Sequence, residues 1–282
     1  MLISCFRSYK YKISRKSLET IYKCFILPHF DYADVVWDNC TDIQSKMLEN
    51  LHLESIRIIT GGTLATGNLY KESGFCTLKE RRKRRKLLMF HKMILGLCPQ
   101  YINDLLPPLV AHINSYHRRR PLQRNVTTCQ TELYRNSFIP STTAEWNSLP
   151  INVQQSTSLR VFKRALSLSD SKVPAYHYFG ERSAQVIHCR LRLEMSNLNN
   201  DLVNRHLSAD TKCSCGYSKE TAEHYLLHCP NYSNIRAGTI LTLPIGLTDI
   251  RTLLYGNLDL RLLENKHIFL TVHEFIKLSK RL

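Results

Sequence analysis

Apolar residues recur at helical spacing through most of this chain, and the fold class that the pattern predicts is mainly α. In Ser14 to Ile26, Leu18, Ile21, Tyr22 and Phe25 stand at i, i+3, i+4 and i+7, and Pro28 is expected to end that helix. A short extended or turning segment, Phe30 to Trp37, follows. A second helix runs from about Thr41 to Thr60, where Gly61-Gly62 stops it. The third opens with Thr77-Leu-Lys-Glu80, a capping-box pattern, and continues to about Leu95, ahead of Gly96 and Pro99. Leu87, Phe90, Ile94 and Leu97 form its apolar stripe.

The pattern fails between about Pro107 and Val126, where Pro107-Pro108 and Arg118-Arg-Arg-Pro121 mark a basic connector. Phe138 to Leu166 reads as turn, short helix, turn and helix, with Ser158 as N-cap and Leu159, Phe162 and Leu166 inward. Ser169 to Pro174 reads as a linker. Arg182 to Leu207 reads as one long helical region, and a last helix covers Leu262 to Leu278 with Phe269, Val272 and Ile276 buried. The expected division is an N-terminal helical domain (1–110), a basic connector (111–137), a helical connection (138–173) and a C-terminal helical domain (174–282).

Composition adds a compartment and a partner class. No apolar run is long enough to span a membrane, and Met1-Leu-Ile-Ser-Cys-Phe-Arg7 turns basic before a signal-peptide core forms. The expectation is a soluble intracellular chain, in nucleus or cytoplasm, with its scattered cysteines reduced. The 39 Lys+Arg against 23 Asp+Glu give a formal charge of +16. From Asp201 to the end the chain is almost balanced, with ten basic and eight acidic side chains, so the excess lies before it. Such a surplus points to RNA or DNA rather than to a membrane or a small-molecule substrate.

Lys79 to Lys86 is basic at every position but one, Glu80. With the apolar stripe inward, Arg81, Arg82, Arg84 and Arg85 are candidates for phosphate contact, and a merely solvated face is the competing reading. Arg118, Arg119 and Arg120 are a second, looser candidate, also readable as a nuclear-localisation-like patch. Trp37, Trp146 and Tyr176-His177-Tyr178-Phe179 read as packing rather than base-stacking residues. His177, His188 and His206 have no nucleophile and orienting carboxylate placed about them, and read as satisfied structural histidines.

Three of the ten cysteines fall close together, as Cys213-Ser-Cys215-Gly216 followed by His224 and Cys229. Three thiols and an imidazole are the donor set of a tetrahedral site, so one structural zinc ion is the predicted cofactor. Gly216 lets the chain fold back behind the cysteine pair, and the His-x4-Cys ending resembles that of zinc knuckles, which contact single-stranded nucleic acid. Cys-x-Cys is tighter than the usual ligand spacing, and the gap before His224 is longer than a retroviral knuckle allows. His228 is an alternative ligand. Ordinary thiols beside a helix are the alternative to any site.

With these residues in view, the chain resembles the C-terminal region of the reverse-transcriptase polyprotein of jockey-type non-LTR retrotransposons. The matching stretches are Ser14-Arg-Lys-Ser-Leu-Glu-Thr-Ile-Tyr22, Phe25-Ile-Leu-Pro28, Asp31-Tyr-Ala-Asp-Val-Val-Trp-Asp-Asn-Cys40, Leu69-Tyr-Lys-Glu72 and Pro140-Ser-Thr-Thr-Ala-Glu-Trp-Asn-Ser-Leu-Pro150, with Cys213-Ser-Cys-Gly216 and Glu223-His-Tyr-Leu-Leu-His-Cys-Pro230. Asp31 stands where the family usually has Glu, and Glu54-Ser-Ile-Arg57 replaces a more Ala-rich helix. The resemblance implies that the N-terminal helical domain is thumb-like and that the Cys/His cluster is a C-terminal nucleic-acid-binding knuckle.

Catalysis is not implied. Two-metal polymerase chemistry needs carboxylates, normally including two adjacent aspartates, holding ions about 4 Å apart. The sequence contains no Asp-Asp pair, and Tyr32-Ala33-Asp34 is followed by Val35. The expectation is therefore a non-catalytic fragment beginning at an internal Met, and the alternative is a zinc-stabilised helical module that docks a protein partner.

Overall fold

A computed structural model describes residues 2–62, 66–110, 122–166 and 172–282. The fold is mainly helical. Among the described residues there is no β-strand, only an isolated antiparallel bridge between Leu109 and Arg124. No described helix is long and apolar enough to cross a membrane. Contacts gather the chain into two units, Met1–Ile26 with Leu51–Phe75 and Ser171–Leu282, and Leu27–Asn50 with Cys76–Asp170.

The first unit is built around the helix Leu262–Ser279, whose Phe269, Val272, Phe275 and Ile276 are buried as the periodicity requires. Leu191, Leu198, Tyr225, Leu226 and Leu253 close the same core. A smaller cluster joins Ile56, Leu69, Cys189, Leu193 and Met195. Gly61 ends the preceding helix, Asp42–Thr60, at φ +83°, and a Cβ there would meet the Val186 side chain at 2.6 Å, so both conformation and space call for glycine.

Beside these clusters lies a buried ion network. Glu72 accepts from Arg15 Nη1 at 2.9 Å and from Arg192 Nη2 at 2.8 Å. Burial by itself would raise the Glu72 carboxyl, but Arg192, His177 and Arg15 hold it well below the usual carboxylate range. His188 is fully buried, with its Nδ1 3.1 Å from His273 Nε2 and its Nε2 3.0 Å from the Leu253 carbonyl. Burial pushes both imidazoles down, His273 to about 4.

The second unit centres on the helix Leu78–Ile94. The box at its start is formed, with the Glu80 N–H donating to Thr77 Oγ1 at 3.1 Å and the Thr77 N–H to Glu80 Oε2 at 3.4 Å. Leu87 and Phe90 pack with Trp146 from the helix Phe138–Asn147 and Phe162 from the helix Leu159–Leu166. The Val161 N–H donates to Ser158 Oγ at 3.3 Å, as an N-cap should.

Several local expectations are corrected. Pro28 does not end the first helix. Arg15–Ile21 passes into a π-helical turn, Tyr22–Ile26, and then a helical segment, Leu27–Asp31, that contains the proline. A proline cannot donate back to the preceding turn and its ring crowds that turn's carbonyl, and a widened turn is one way a helix accommodates it. Phe30 to Trp37 is not extended: it turns at Tyr32 and Ala33, the latter at φ 52°, between the helical segments Leu27–Asp31 and Asp34–Trp37. Arg182 to Leu207 is two helices, Arg182–Arg192 and Asn199–Asn204. Between them Glu194 adopts φ 54°, and Asp201 accepts from the Ser196 N–H at 3.0 Å and Oγ at 2.5 Å, so a side chain takes a backbone donor that a continuous helix would have used. Leu97 lies beyond the end of its helix and is exposed. Trp37 is half-buried rather than a core anchor, its Nε1 donating to the Tyr32 carbonyl at 2.7 Å. The expected linker Ser169–Pro174 falls partly, and Arg118, Arg119 and Arg120 entirely, outside the described residues.

Candidate metal centre

The segment from Thr211 to Glu220 folds back on itself through short hydrogen bonds. The Cys213 N–H donates to the Tyr217 carbonyl at 2.9 Å, the Gly216 N–H to the Cys213 carbonyl at 2.9 Å, and the Glu220 N–H to the Thr211 carbonyl at 2.8 Å. Gly216 turns the chain at φ +92°, a left-handed conformation that a Cβ disfavours, with open space beside it. The turn aims Cys213 and Cys215 the same way.

His224–His228 is a π-helical turn, and the Cys229 N–H donates to the His224 carbonyl at 2.7 Å, the i to i+5 bond of that geometry. Five residues advance an α-helix by well over a full turn, but come nearly back into line in the wider π turn, so the x4 spacing sets His224 and Cys229 on one side. Arg236 holds this turn's end. Its guanidinium donates to the carbonyls of Leu226 at 2.7 Å and Cys229 at 2.9 Å, groups a helix terminus leaves without partners.

Cys213 Sγ lies 3.7 Å from Cys229 Sγ, and Cys215 Sγ lies 3.2 Å from His224 Nε2. All four ligand atoms lie within 4.8 Å of one another. The arrangement is compatible with one structural metal ion. Of the two histidines the cluster contains His224, while His228 is 64% exposed with its Nε2 3.9 Å from Glu223.

Neighbouring side chains fix the donors. The His224 ring stacks on Tyr217 with centroids 4.4 Å apart and planes 4° from parallel. Its Nδ1 is buried without a hydrogen-bond partner, so ring stacking sets the imidazole's orientation where a second hydrogen bond commonly does. Glu220 lies 3.9 Å from Cys213 Sγ and is gripped by Arg281 at 2.8 and 2.6 Å. The Tyr217 backbone N–H draws the Cys215 thiol below its usual value, while burial raises Cys229 to about 12 and lowers His224.

The basic helix is arranged differently from the sequence expectation. Arg81 makes a bidentate pair with Asp31, both contacts 2.6 Å. Arg82 is buried, donating to Asp38 at 2.7 Å and Ser45 Oγ at 2.9 Å, and Arg85 pairs with Asp34 at 2.7 Å. Lys86 Nζ lies 2.7 Å from Asp38. Arg84 is half-buried on the same helix. The sequence reading turns the basic half outward. Instead Arg81, Arg82 and Arg85 turn onto carboxylates, because an unpaired charge at a partly buried position is costly. Asp31, Asp34 and Asp38 stand close together in sequence, and two short helical segments joined by the turn at Tyr32 and the left-handed Ala33 bring all three to the basic helix. The histidines read as structural include His188 in the core and His177, whose ring stacks on Phe269 at 5.4 Å, whereas His206 is exposed.

Comparison with protein-family models, with curated proteins and with solved structures finds no match for this chain.

Proposed function

We propose that this chain is a non-catalytic, nucleic-acid-binding region of a non-LTR retrotransposon polyprotein of the jockey type, in which Cys213, Cys215, His224 and Cys229 hold one structural zinc ion. The reading rests on the donor set. A zinc tetrahedron with its usual bond lengths has edges of about 3.8 Å between two sulfurs and about 3.5 Å between sulfur and nitrogen. The cluster's 3.7 Å and 3.2 Å separations sit close to those edges, and all four donor atoms lie within 4.8 Å of one another. Bound zinc would cross-link the turn around Gly216 to the π turn, and the chain's own residues supply the rest: Tyr217 orients the imidazole and Arg236 fastens the second turn.

The +16 charge supports a polyanion partner. With three arginines of the helix Leu78–Ile94 already paired, the exposed Lys79 and Lys83 of that helix and the Arg118 to Arg120 run are the residues that would meet phosphate. Within such a polyprotein the chain would work in the nucleus or cytoplasm, as a binder and not as the polymerase.

The internal pairing of Arg81, Arg82 and Arg85 also favours a second reading, a zinc-stabilised module that docks a protein. One experiment separates the two. Zinc content and single-stranded RNA binding are measured together across a salt series, on the wild type and on Cys213→Ser/Cys215→Ser. One zinc per chain, with binding that falls steeply with salt and weakens in the variant, is expected for the nucleic-acid reading. Zinc without RNA binding favours the docking module, and no zinc ends both.

A further inference from the structure

In the second unit an apolar hollow of about 640 Å³ opens beside the helix Leu78–Ile94, bordered among others by Val36, Met89, Met93, Ile102, Leu105 and Tyr134. No charged side chain borders it among the described residues. Its rim is apolar as well: Val36 is 80% exposed, Leu105 56% exposed, and Tyr134 is exposed too. Single exposed apolar residues are ordinary, but several bordering one hollow mark a surface that another molecule covers.

The wall that carries Val36 is pinned at both ends. Asp34, at the start of the short helix Asp34–Trp37, pairs with Arg85 at 2.7 Å, and Asp38, just past its end, accepts from Arg82 at 2.7 Å. The Arg82 guanidinium also lies over the Trp37 ring, 5.4 Å from its centre. Val35 and Val36 stand between these two anchors, so little freedom is left to lose when a partner settles against them. Met89 and Met93, one helical turn apart, are the adaptable part of the lining, since an unbranched thioether side chain fits irregular surfaces.

Val35 and Met89 also border a smaller hollow of about 310 Å³, whose charged side chains are Arg85, Lys92 and Lys163. No carboxylate borders it among the described residues, Arg85 already faces Asp34, and Lys92 and Lys163 are exposed. Apolar walls thus run into a cationic end. An alkyl chain laid along the rim would keep one side in water, whereas an amphipathic helix covers the walls with its apolar face and keeps its polar face outside. We propose that this surface docks an amphipathic helix of a protein partner, with apolar anchors against Val36, Met89, Met93 and Leu105 and acidic residues facing Lys92 and Lys163. The surface lies in the unit without the Cys/His cluster, so its occupancy is independent of the metal ion proposed there.

The test uses the full chain and fluorescence anisotropy with three labelled peptides: a helix with leucine at i, i+3, i+4 and i+7 and glutamate on its polar face, the same helix with lysine for glutamate, and the glutamate helix with serine for leucine. The acidic leucine helix is expected to bind at one site, about tenfold more tightly than the lysine helix, and the serine helix not to bind. Val36→Asp, at an exposed position, is expected to weaken that binding about tenfold with the melting temperature unchanged. Lys92→Glu/Lys163→Glu is expected to reverse the order of the glutamate and lysine helices. A serine helix that binds as well as the leucine one would reduce the effect to net charge and overturn the proposal, as would binding that Val36→Asp leaves intact, or no binding at all. Oleate binding that is lost in Val36→Asp, without binding of either leucine helix, would give the hollow to a lipid and overturn it too.

Discussion

Around Cys213, Cys215, His224 and Cys229 four metal-ligating atoms converge on one another, while along the helix Leu78–Ile94 three arginines and a lysine each face an aspartate. Both are clusters of chemically active groups. They differ in what completes them. Arg81, Arg82, Arg85 and Lys86 are neutralised by their own chain, so those charges serve the fold, and Lys79 and Lys83 are the exposed residues of the run open to a partner. The Cys/His cluster is made of donor groups of one kind turned towards one another, the arrangement of a site that takes a metal ion. A run of functional groups therefore points to a partner only after its internal partners have been subtracted.

The largest effect that would sharpen this contrast is loss of the metal ion proposed for the Cys/His cluster. Cys213→Ser/Cys229→Ser, or a strong chelator, is expected to cost a sizeable share of the ~10 kcal/mol or more that structural zinc supplies to small modules. It would be read as loss of one zinc per chain and a lowered melting temperature. An unchanged melt in a zinc-free variant would erase the difference between the two regions.

Next come the aspartates that face the basic helix. Lys86 and Asp38 are largely buried, with side chains 6% and 18% exposed. Asp38→Ala, which strands the lysine, is expected to destabilise the protein by ~3–5 kcal/mol in urea denaturation. A loss under about 1 kcal/mol would mean that these charges are not structural. Acid acts here in the same direction. Although burial opposes it, hydrogen bonds from Lys86 and Arg82 hold Asp38 below its ordinary value, so its contribution is present above the ordinary carboxylate range and is lost as pH falls through the lowered value.

The unit that carries the Cys/His cluster has a different acid response. His273 titrates near 4 when folded against 6.5 when free. Between those values the unfolded chain takes up a proton that the folded chain refuses, so stability declines as pH falls from 6.5, by about 3 kcal/mol at pH 4. Urea midpoints measured across that window should drop, and His273→Leu should flatten the slope. A flat wild-type profile would contradict the burial of the His188–His273 pair.

The smallest effect belongs to the exposed side of the basic helix. Lys83→Ala is expected to change stability by no more than about 0.5 kcal/mol. If this face meets phosphate, the same substitution weakens RNA binding for every sequence and reduces the salt slope by about one. No change in that slope would leave the whole helix to the fold.

What is legible in the sequence is local. The Thr77 box, the Gly61 stop and the stripe of Leu262–Ser279 each depend on residues within a few positions of one another. The failures have physical causes too. Pro28 reads as a stop because the π-helical turn that accommodates it leaves no mark in the hydrophobic period. The pairing of Asp31, Asp34 and Asp38 with the basic helix escapes a sequence reading because the left-handed turn at Ala33, which sets where these carboxylates point, leaves no mark in the hydrophobic period. The metal donors are legible from residue type and spacing. The His-x4-Cys spacing already favours His224 over His228, with the π turn as its structural cause, whereas the stacking of Tyr217 depends on the bend at Gly216 and does not follow from counting residues. Units assembled from separated stretches leave still less trace, since no periodicity reports which distant segments meet.

The Glu72 network has a consequence for synthesis. Glu72 is buried between Arg15, 57 positions before it, and Arg192, 120 positions after it. During translation the earlier pair can form as soon as both residues have left the ribosome. The later arginine arrives several seconds afterwards at ordinary elongation speeds, and until then the carboxylate has only half of its cationic cover. The first unit is thus a late-closing structure, whose earlier stretches wait, partly solvated and open to chaperones, for Ser171–Leu282 to be made.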